Sequence, residues 1–600
     1  MKRIVLLLAL ACLTSPASAG EPFAIEVVDS ATGRGVPLVE LRTVNEIRLV
    51  TDSRGIAAFD EPGLMGRSVF FHVASHGYRF PKDGFGIRGR AFDAVPGGRA
   101  RVEIERVNVA ERLYRVIGAG IYRDTVLVGE KPPILHPLLN AGVLGSDSVQ
   151  AAVFRGKVHW FWGDTNRAGY PLGNFHMPTA TSLLPADGGL DVEVGIDLDY
   201  AVDADGFAAP SAKLPGDGPT WVDGLTVLKD ATGRERMFGA YAKIRPPMEV
   251  YERGLAEFDP EARRFAKVAQ IPLGAPTFPM GHPFFHRSDG VDRIYFADPF
   301  PLVRVAADVD DLAHPERFEA YTCLLPGSTL ERPEVDRGPD GSACYAWRRG
   351  APAVDAQAQA RLVRSGALRE AEALFHLQDA GTGRRVTAHR GSTYWNPFRG
   401  RWVMIAVEIG GESSHLGEVW FAEADTLLGP WVYARKVATH DRYSFYNPKQ
   451  HPMFAKDGGR VIFFEGTYTV SFSGNPDPTP RYEYNQVLYK LDLADTRLAL
   501  PVPISEVEGR FVPRSTGRPV AFFALERPGP GTIPVGDPPS FHALPADLKE
   551  PPATTIRLYE ETGPDGRSRF VTEEGRRNDS KAQPIARVWR SPMKLVLPPG

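Results

Sequence analysis

The sequence predicts an all-β protein of several domains. Three observations carry that prediction. Sixty glycines and 53 prolines in 600 residues cut the chain into short segments. Between those breaks, apolar residues alternate or run briefly, as strands do, with no long helical periodicity. One hairpin pattern also recurs five times between residues 140 and 500, and a repeat takes precedence over any local assignment. With 43% hydrophobic residues, composition is ordinary for a chain that buries several cores.

Lys2 and Arg3, an apolar stretch from Ile4 to Leu13, and Ala17 and Ala19 in an A-x-A ending predict a signal peptide over 1–19. The protein is therefore expected to be secreted or periplasmic; Cys12 in Leu-Ala-Cys offers a weaker alternative, a lipoprotein anchor. Cys323 and Cys344 remain, and two cysteines in an exported chain predict one disulfide rather than a metal site.

Over 20–106, short strands at Phe23–Val28, Leu38–Thr43, Ile56–Phe59, Val69–Ala74 and Arg101–Arg106 lie between turns and predict a β-sandwich. The stretch Val-Val-Asp-Ser-Ala-Thr-Gly-Arg-Gly-Val-Pro at 27–37, with Thr51-Asp52 and Gly55, resembles the carboxypeptidase regulatory-like module. That resemblance implies an accessory role.

The repeat over 107–500 is a polar residue, an apolar strand, a turn, and a second apolar strand ending in another polar residue. Its copies run from Asp147 to Asp164, Asp223 to Tyr241, His282 to Asp298, His389 to Glu408 and Gln450-His451 to Glu465. Five copies predict a five-bladed β-propeller; a jelly roll would not readily repeat one hairpin five times. Residues 501–600 carry weaker strand signals at Pro519–Leu525 and Thr555–Tyr559; the Pro-rich 501–545 reads as a strap or linker and 546–600 as a small β appendage.

In an antiparallel hairpin the start of the first strand and the end of the second share an edge. Radial repetition would gather those edges on one face, bringing acids and histidines into one funnel suited to acid–base chemistry. Trp221, Tyr394, Tyr443, Tyr446 and Asn447 lie beside the same segments, with Tyr446 and Asn447 expected to be exposed. Trp160, Trp162 and Trp395 are expected to pack between blades.

The phrase Gly-Lys-Val-His-Trp-Phe-Trp-Gly-Asp-Thr at 156–165, and Leu428-Gly-Pro-Trp431 after an apolar strand, resemble segments of the five-bladed glycan-active propellers. These are the arabinanase, xylosidase and fructosidase types and the endo-arabinanase-like propellers. The resemblance covers residues 140–500. It implies that Asp147 acts as base or nucleophile and Asp223 as the orienting carboxylate. His282 stands where the family's acid, a glutamate, is expected, so the acid must come from Glu408, Glu465, Glu249 or Asp298.

The expectation is thus a glycoside hydrolase acting on a polysaccharide or oligosaccharide, with Asp147, Asp223, Glu408 and Glu465 catalytic. Asp164, His282, His389, Arg390, Tyr446, Asn447, Gln450 and His451 are expected to bind substrate. Two alternatives use the same funnel: a lyase acting on uronates through His282, His389, Arg390, Tyr446 and His451, and a non-catalytic glycan-binding protein. No cofactor is required; Ca²⁺ is the one ion left open, through oxygen ligands in the acidic stretch Asp187–Asp205. Seventy basic and 73 acidic residues are interspersed, which leaves no basic domain for nucleic acid. Beyond the N-terminus no apolar run reaches the ~20 residues that span a bilayer. Oligomeric state leaves no signature. No phosphate loop, GxSxG elbow or dinucleotide fingerprint is present.

Overall fold

A computed structural model describes residues 20–481, 483–507, 510–514, 522–562, 568–576 and 581–591. The expected signal peptide and Cys12 lie outside the described residues, as does part of the strand expected at Pro519–Leu525. The architecture is all-β. No helix among the described residues is long and apolar enough to cross a membrane.

At the N-terminal end, Phe23–Asp29 pairs with Ile56–Phe59 and Arg99–Arg106, and the latter with Tyr78–Arg79. A second sheet orders Arg48–Val50, Glu40–Thr43, Ser68–Ala74 and Gly89–Asp93. The inward residues of both, including Ile25, Val27, Leu41, Phe71, Val102 and Ile104, form one buried cluster. Alternation of these apolar positions with exposed polar ones is what turns one face of each strand inward.

Five antiparallel meanders follow. The first comprises Gln150–Phe154, Lys157–Phe161, Thr179–Ser182 and Asp199–Tyr200; the second Thr220–Lys229, Glu235–Arg245, Glu249–Asp259 and Arg264–Ile271. His282–Ser288, Val291–Ala297, Pro301–Ala306 and Glu319–Thr322 form the third, extended by Ala346–Arg348. The fourth runs through Ala388–Asn396, Arg401–Glu408, Val419–Ala424 and Tyr433–Ala438. In the fifth, Ser444–Gln450, Val461–Thr469 and Asn485–Asp492 are completed by Glu111–Arg115, a strand that precedes the first meander in the chain. The first and fifth meanders are tied by Lys449 Nζ, which donates to the Ala151 carbonyl at 2.8 Å, and by Ser148 N, which donates to Thr467 Oγ1 at 2.9 Å.

Several expectations need correction. The fifth hairpin begins at Ser444, six residues before Gln450, and pairs Lys449 with Glu465. His451-Pro452-Met453-Phe454 is not a strand but leads into a 3-10 turn at Pro452–Phe454, since proline cannot donate to a central ladder. Residues 501–545, read as a strap or linker, instead share one eight-stranded sheet with Thr555–Thr562 and Pro584–Trp589. Phe523, Leu525 and Trp589 of that sheet join the core of the fourth and fifth meanders.

Cys323 and Cys344 are both free thiols. Asp336 lies between them: its N–H donates to the Cys323 carbonyl and its own carbonyl accepts from Cys344 N. Cys323 is buried and Cys344 half-buried, and neither is bonded to the other. Trp160 and Trp162 are fully buried as expected, but Trp395 is 49% exposed.

Candidate active site

The site is built where the first three meanders bring their polar edges together. Asp147 precedes the first strand of the first meander, and its backbone is clamped by Gly163 N donating to its carbonyl at 2.7 Å. A Cβ on Gly163 would fall 1.9 Å from Asp147 Oδ1, so glycine is the only residue that lets the carboxylate sit there. The Tyr446 hydroxyl donates to Asp147 Oδ2 at 2.8 Å. Burial, then the nearby Asp164, push the Asp147 carboxyl up to about 7, while the tyrosine hydrogen bond pulls the other way.

Asp223 is the hub. Its Oδ1 accepts from Gln150 Nε2 at 3.0 Å, Gly224 N at 2.7 Å and Gly281 N at 3.2 Å, so it links the first, second and third meanders. Arg390, from the fourth meander, reaches both neighbouring acids: its Nη1 lies 2.7 Å from Asp298 Oδ2 and 3.6 Å from Asp223 Oδ2. Asp298 ends the second strand of the third hairpin, directly after the His282–Ala297 pair. Burial raises its carboxyl most; Arg390 pulls it back and Asp223 pushes it up again, to about 7. Two carboxyls held near neutrality around a saturated third are groups able to give and take protons at physiological pH.

The other predicted residues divide by depth and by partner. Asp164 is raised by burial and accepts a hydrogen bond from Trp221. Asn447 donates to Ser148 Oγ at 2.6 Å. His282 is buried and held neutral by desolvation, with Lys449, His451 and Arg390 adding to the effect. His389 is half-buried and lowered to about 4, again mainly by desolvation. Tyr446, expected to be exposed, is buried, because its ring must reach back to place the hydroxyl on Asp147.

Glu465, His451 and Gln450 do not lie at this edge. Glu465 is fully buried with its Oε2 3.2 Å from His451 Nε2, and Gln450 Nε2 donates to the Ser392 and Val403 carbonyls of the fourth meander. The earlier start of the fifth hairpin sets Gln450 and His451 at the end of its first strand, not at its beginning. Glu408 is buried too, held by both guanidinium nitrogens of Arg384 and by the Trp420 indole at 2.9 Å. Glu249 is exposed and pairs with Arg245. The carboxylates of 187–205 are dispersed: Asp191 pairs with Lys456, Asp199 with Arg263, and Asp197 and Asp203 accept backbone N–H groups. Among the described residues no three His, Cys, Asp or Glu side chains converge as a metal site.

Sequence reasoning missed Gln150 and Lys449. Lys449 is almost fully buried, and desolvation lowers its ammonium to about 7 despite Asp223 and Glu465 nearby. Its signal was hidden by the misplaced start of the fifth hairpin.

No family model matches the chain, and no curated protein matches it. Among solved structures, it is similar to a putative exo-β-1,3-galactanase from Bifidobacterium bifidum, at 10% identity over 63% of this chain and 92% of that one, with a TM-score of 0.29. An α-L-arabinanase from Penicillium chrysogenum complexed with arabinobiose matches at 11% identity over 64% and 99%, TM-score 0.32. A GH43_1 enzyme from Xanthomonas citri complexed with xylotriose matches at 10% identity over 61% and 89%, TM-score 0.28. At such scores the reading of the site rests on its own residues.

Proposed function

We propose that the five meanders are the blades of a five-bladed propeller and that the chain is an exported glycoside hydrolase. The observation that carries the reading is the pair Asp147 and Asp298, both pushed up to about 7 at one edge of the sheets. Glycosidic cleavage needs one carboxyl to protonate the leaving oxygen and one carboxylate to act as base or nucleophile.

Asp147 takes the second role. The Tyr446 hydroxyl favours its ionised form, and among the described residues no ion pair engages it. Asp298 takes the first, replacing Glu408 and Glu465 as the proton donor. The negative charge of Asp223 beside it favours the protonated state, and Arg390 fixes the carboxyl's orientation. Asp223 is a positioning residue, since Gln150, Gly224 and Gly281 fill its Oδ1 and Arg390 lies 3.6 Å from its Oδ2. The lyase alternative draws no support here, because Arg390, its candidate cation for a uronate, is engaged by Asp298 and Asp223.

The test is incubation of the protein with a panel of polysaccharides, following new reducing ends and the ultraviolet absorbance of unsaturated uronates together. Reducing ends without absorbance, lost in Asp147→Asn and in Asp298→Asn, are expected. Absorbance rising with the ends would replace hydrolysis by elimination; retention on affinity gels without products would leave a binding protein.

A further inference from the structure

A cavity of about 600 Å³ opens at the far end of the third and fourth hairpins. His282 and Asp298 stand at one end of the third hairpin, and the cavity takes Ser288 and Asp289 from its turn at the other. Six residue steps at ~3.3 Å put about 20 Å between the two places. The cavity therefore does not belong to the carboxylate cluster.

Its platform is aromatic. Trp395, at the end of the first strand of the fourth meander, is 49% exposed and is held edge-on by the buried Trp402 at 5.7 Å between ring centres. Trp402 is braced in turn by His286 at 5.4 Å. An indole this large is not left half in water by packing needs, because the neighbouring hairpin supplies ample apolar cover for Trp402. Leu427 and Leu428 provide an apolar wall, and Asp289 a hydrogen-bonding carboxylate at the rim.

The charges around the cavity are already matched. Arg304 places its Nε 2.7 Å from Glu319 and its guanidinium 4.2 Å above the Trp347 ring, and Arg401 pairs with Asp425. A phosphate or uronate would find no free cation among these groups. A ligand with an apolar face and hydroxyls at its edge fits instead, and the volume falls within the ~300–1,000 Å³ of small-molecule sites.

We infer that this groove is a second glycan-binding site, which seats neutral sugar units of a polysaccharide on Trp395 at the face opposite the carboxylates. It does not depend on hydrolysis, since a chain without catalysis would use the groove in the same way.

The test uses the full chain carrying Asp147→Asn, so that bound polymer is not consumed. Affinity gels containing arabinan, xylan, galactan or glucomannan, and one containing polygalacturonate, are run beside a polymer-free gel. Retardation by at least one neutral polymer and not by polygalacturonate is expected. Trp395→Ala in the same background should weaken that retardation about tenfold, and Trp395→Phe should restore most of it. Unchanged circular dichroism and melting temperature would show that both variants fold. Retardation by no neutral polymer, stronger retardation by polygalacturonate, or retardation indifferent to Trp395→Ala would each overturn the inference. A fall in molar mass in Trp395→Ala would overturn it as well, showing a second copy seated there. In the chain with Asp147 intact, cleavage of short oligosaccharides should be indifferent to Trp395→Ala. Persistent cleavage in Asp147→Asn would sink the role given to Asp147 and leave the groove untouched.

Discussion

Asp147 and Glu408 both stand at the polar edge of a hairpin, one before its first strand and the other at the end of its second, yet the fold treats them in opposite ways. Glu408 meets Arg384 through both nitrogens and Trp420 as a third donor. Asp147 meets one tyrosine hydroxyl, the backbone N–H of Asp164 and the field of the Asp164 carboxylate. A buried carboxylate with a full set of donors is committed to holding two strands; one left short of donors keeps its proton near neutrality and remains free to act. A guanidinium closed on both oxygens, as Arg384 is on Glu408, separates that structural acid from Asp147.

Paired substitutions break this comparison most directly. Asp147→Asn should lower kcat/KM by about 10³, within the range ascribed to a positioned acid or base, and leave the fold intact. Glu408→Gln should do the reverse, costing about 1–3 kcal/mol of stability by removing the nearest carboxylate from Arg384, which keeps Glu412 at 3.6 Å and Glu418 at 3.7 Å, with little loss of kcat per folded molecule. The lower end allows for Arg384 being 27% exposed. Steady-state kinetics beside urea unfolding reads both, and activity lost in Glu408→Gln with stability unchanged would reverse the assignment. Asp298→Asn should come next, lowering kcat/KM by about 10². It should also remove the alkaline limb of the pH–rate profile, because that limb reports loss of the donor's proton.

Stability against pH sharpens the same contrast. The folded pKa of Asp147 is raised, so its contribution is fully present below the ordinary carboxylate value near 4 and is lost as pH rises through about 7. At pH 8 the native chain holds a poorly solvated charge. Asp147→Asn should therefore be more stable than the parent at pH 8, by about 1–3 kcal/mol, with the gain disappearing toward pH 4. Urea midpoints at the two pH values measure it, and an equal effect at both would show that the carboxyl is not strained.

The repeat made the hairpins and their shared edge legible, because apolar strands between polar ends leave a period that composition cannot hide. Asp147, Asp223, Asp298 and Arg390 were all visible as edge residues. The choice among acids was not, since Arg384 lies before the fourth hairpin and nothing in the spacing announces that it turns onto Glu408. Glu465, Gln450 and His451 were misplaced because Pro452 sits inside an apolar run that reads as a strand. The closing strand Glu111–Arg115 was hidden for a different reason: its partner lies some 370 residues away, and pairing at that distance leaves no local mark. Trp395 shows the limit of burial arguments, as an indole at a hairpin end serves packing and display with the same sequence.

The smallest expected effect isolates the side-chain donor to Asp147. Tyr446 donates to Oδ2, and that bond stabilises the ionised carboxylate. Removing the hydroxyl in Tyr446→Phe leaves the ring to fill its buried place beside Phe472, so the fold should lose no more than ~1 kcal/mol. The carboxyl should become harder to ionise, moving the acid limb of kcat/KM upward by up to about one pH unit. The plateau above the limb should fall only a few-fold, because the base is still present once ionised. A pH–rate profile of the variant reads the sign directly. An acid limb that stays in place would mean that Asp147 is not the group titrating there, and a limb that moves downward would mean that the tyrosine had been stabilising the neutral acid instead.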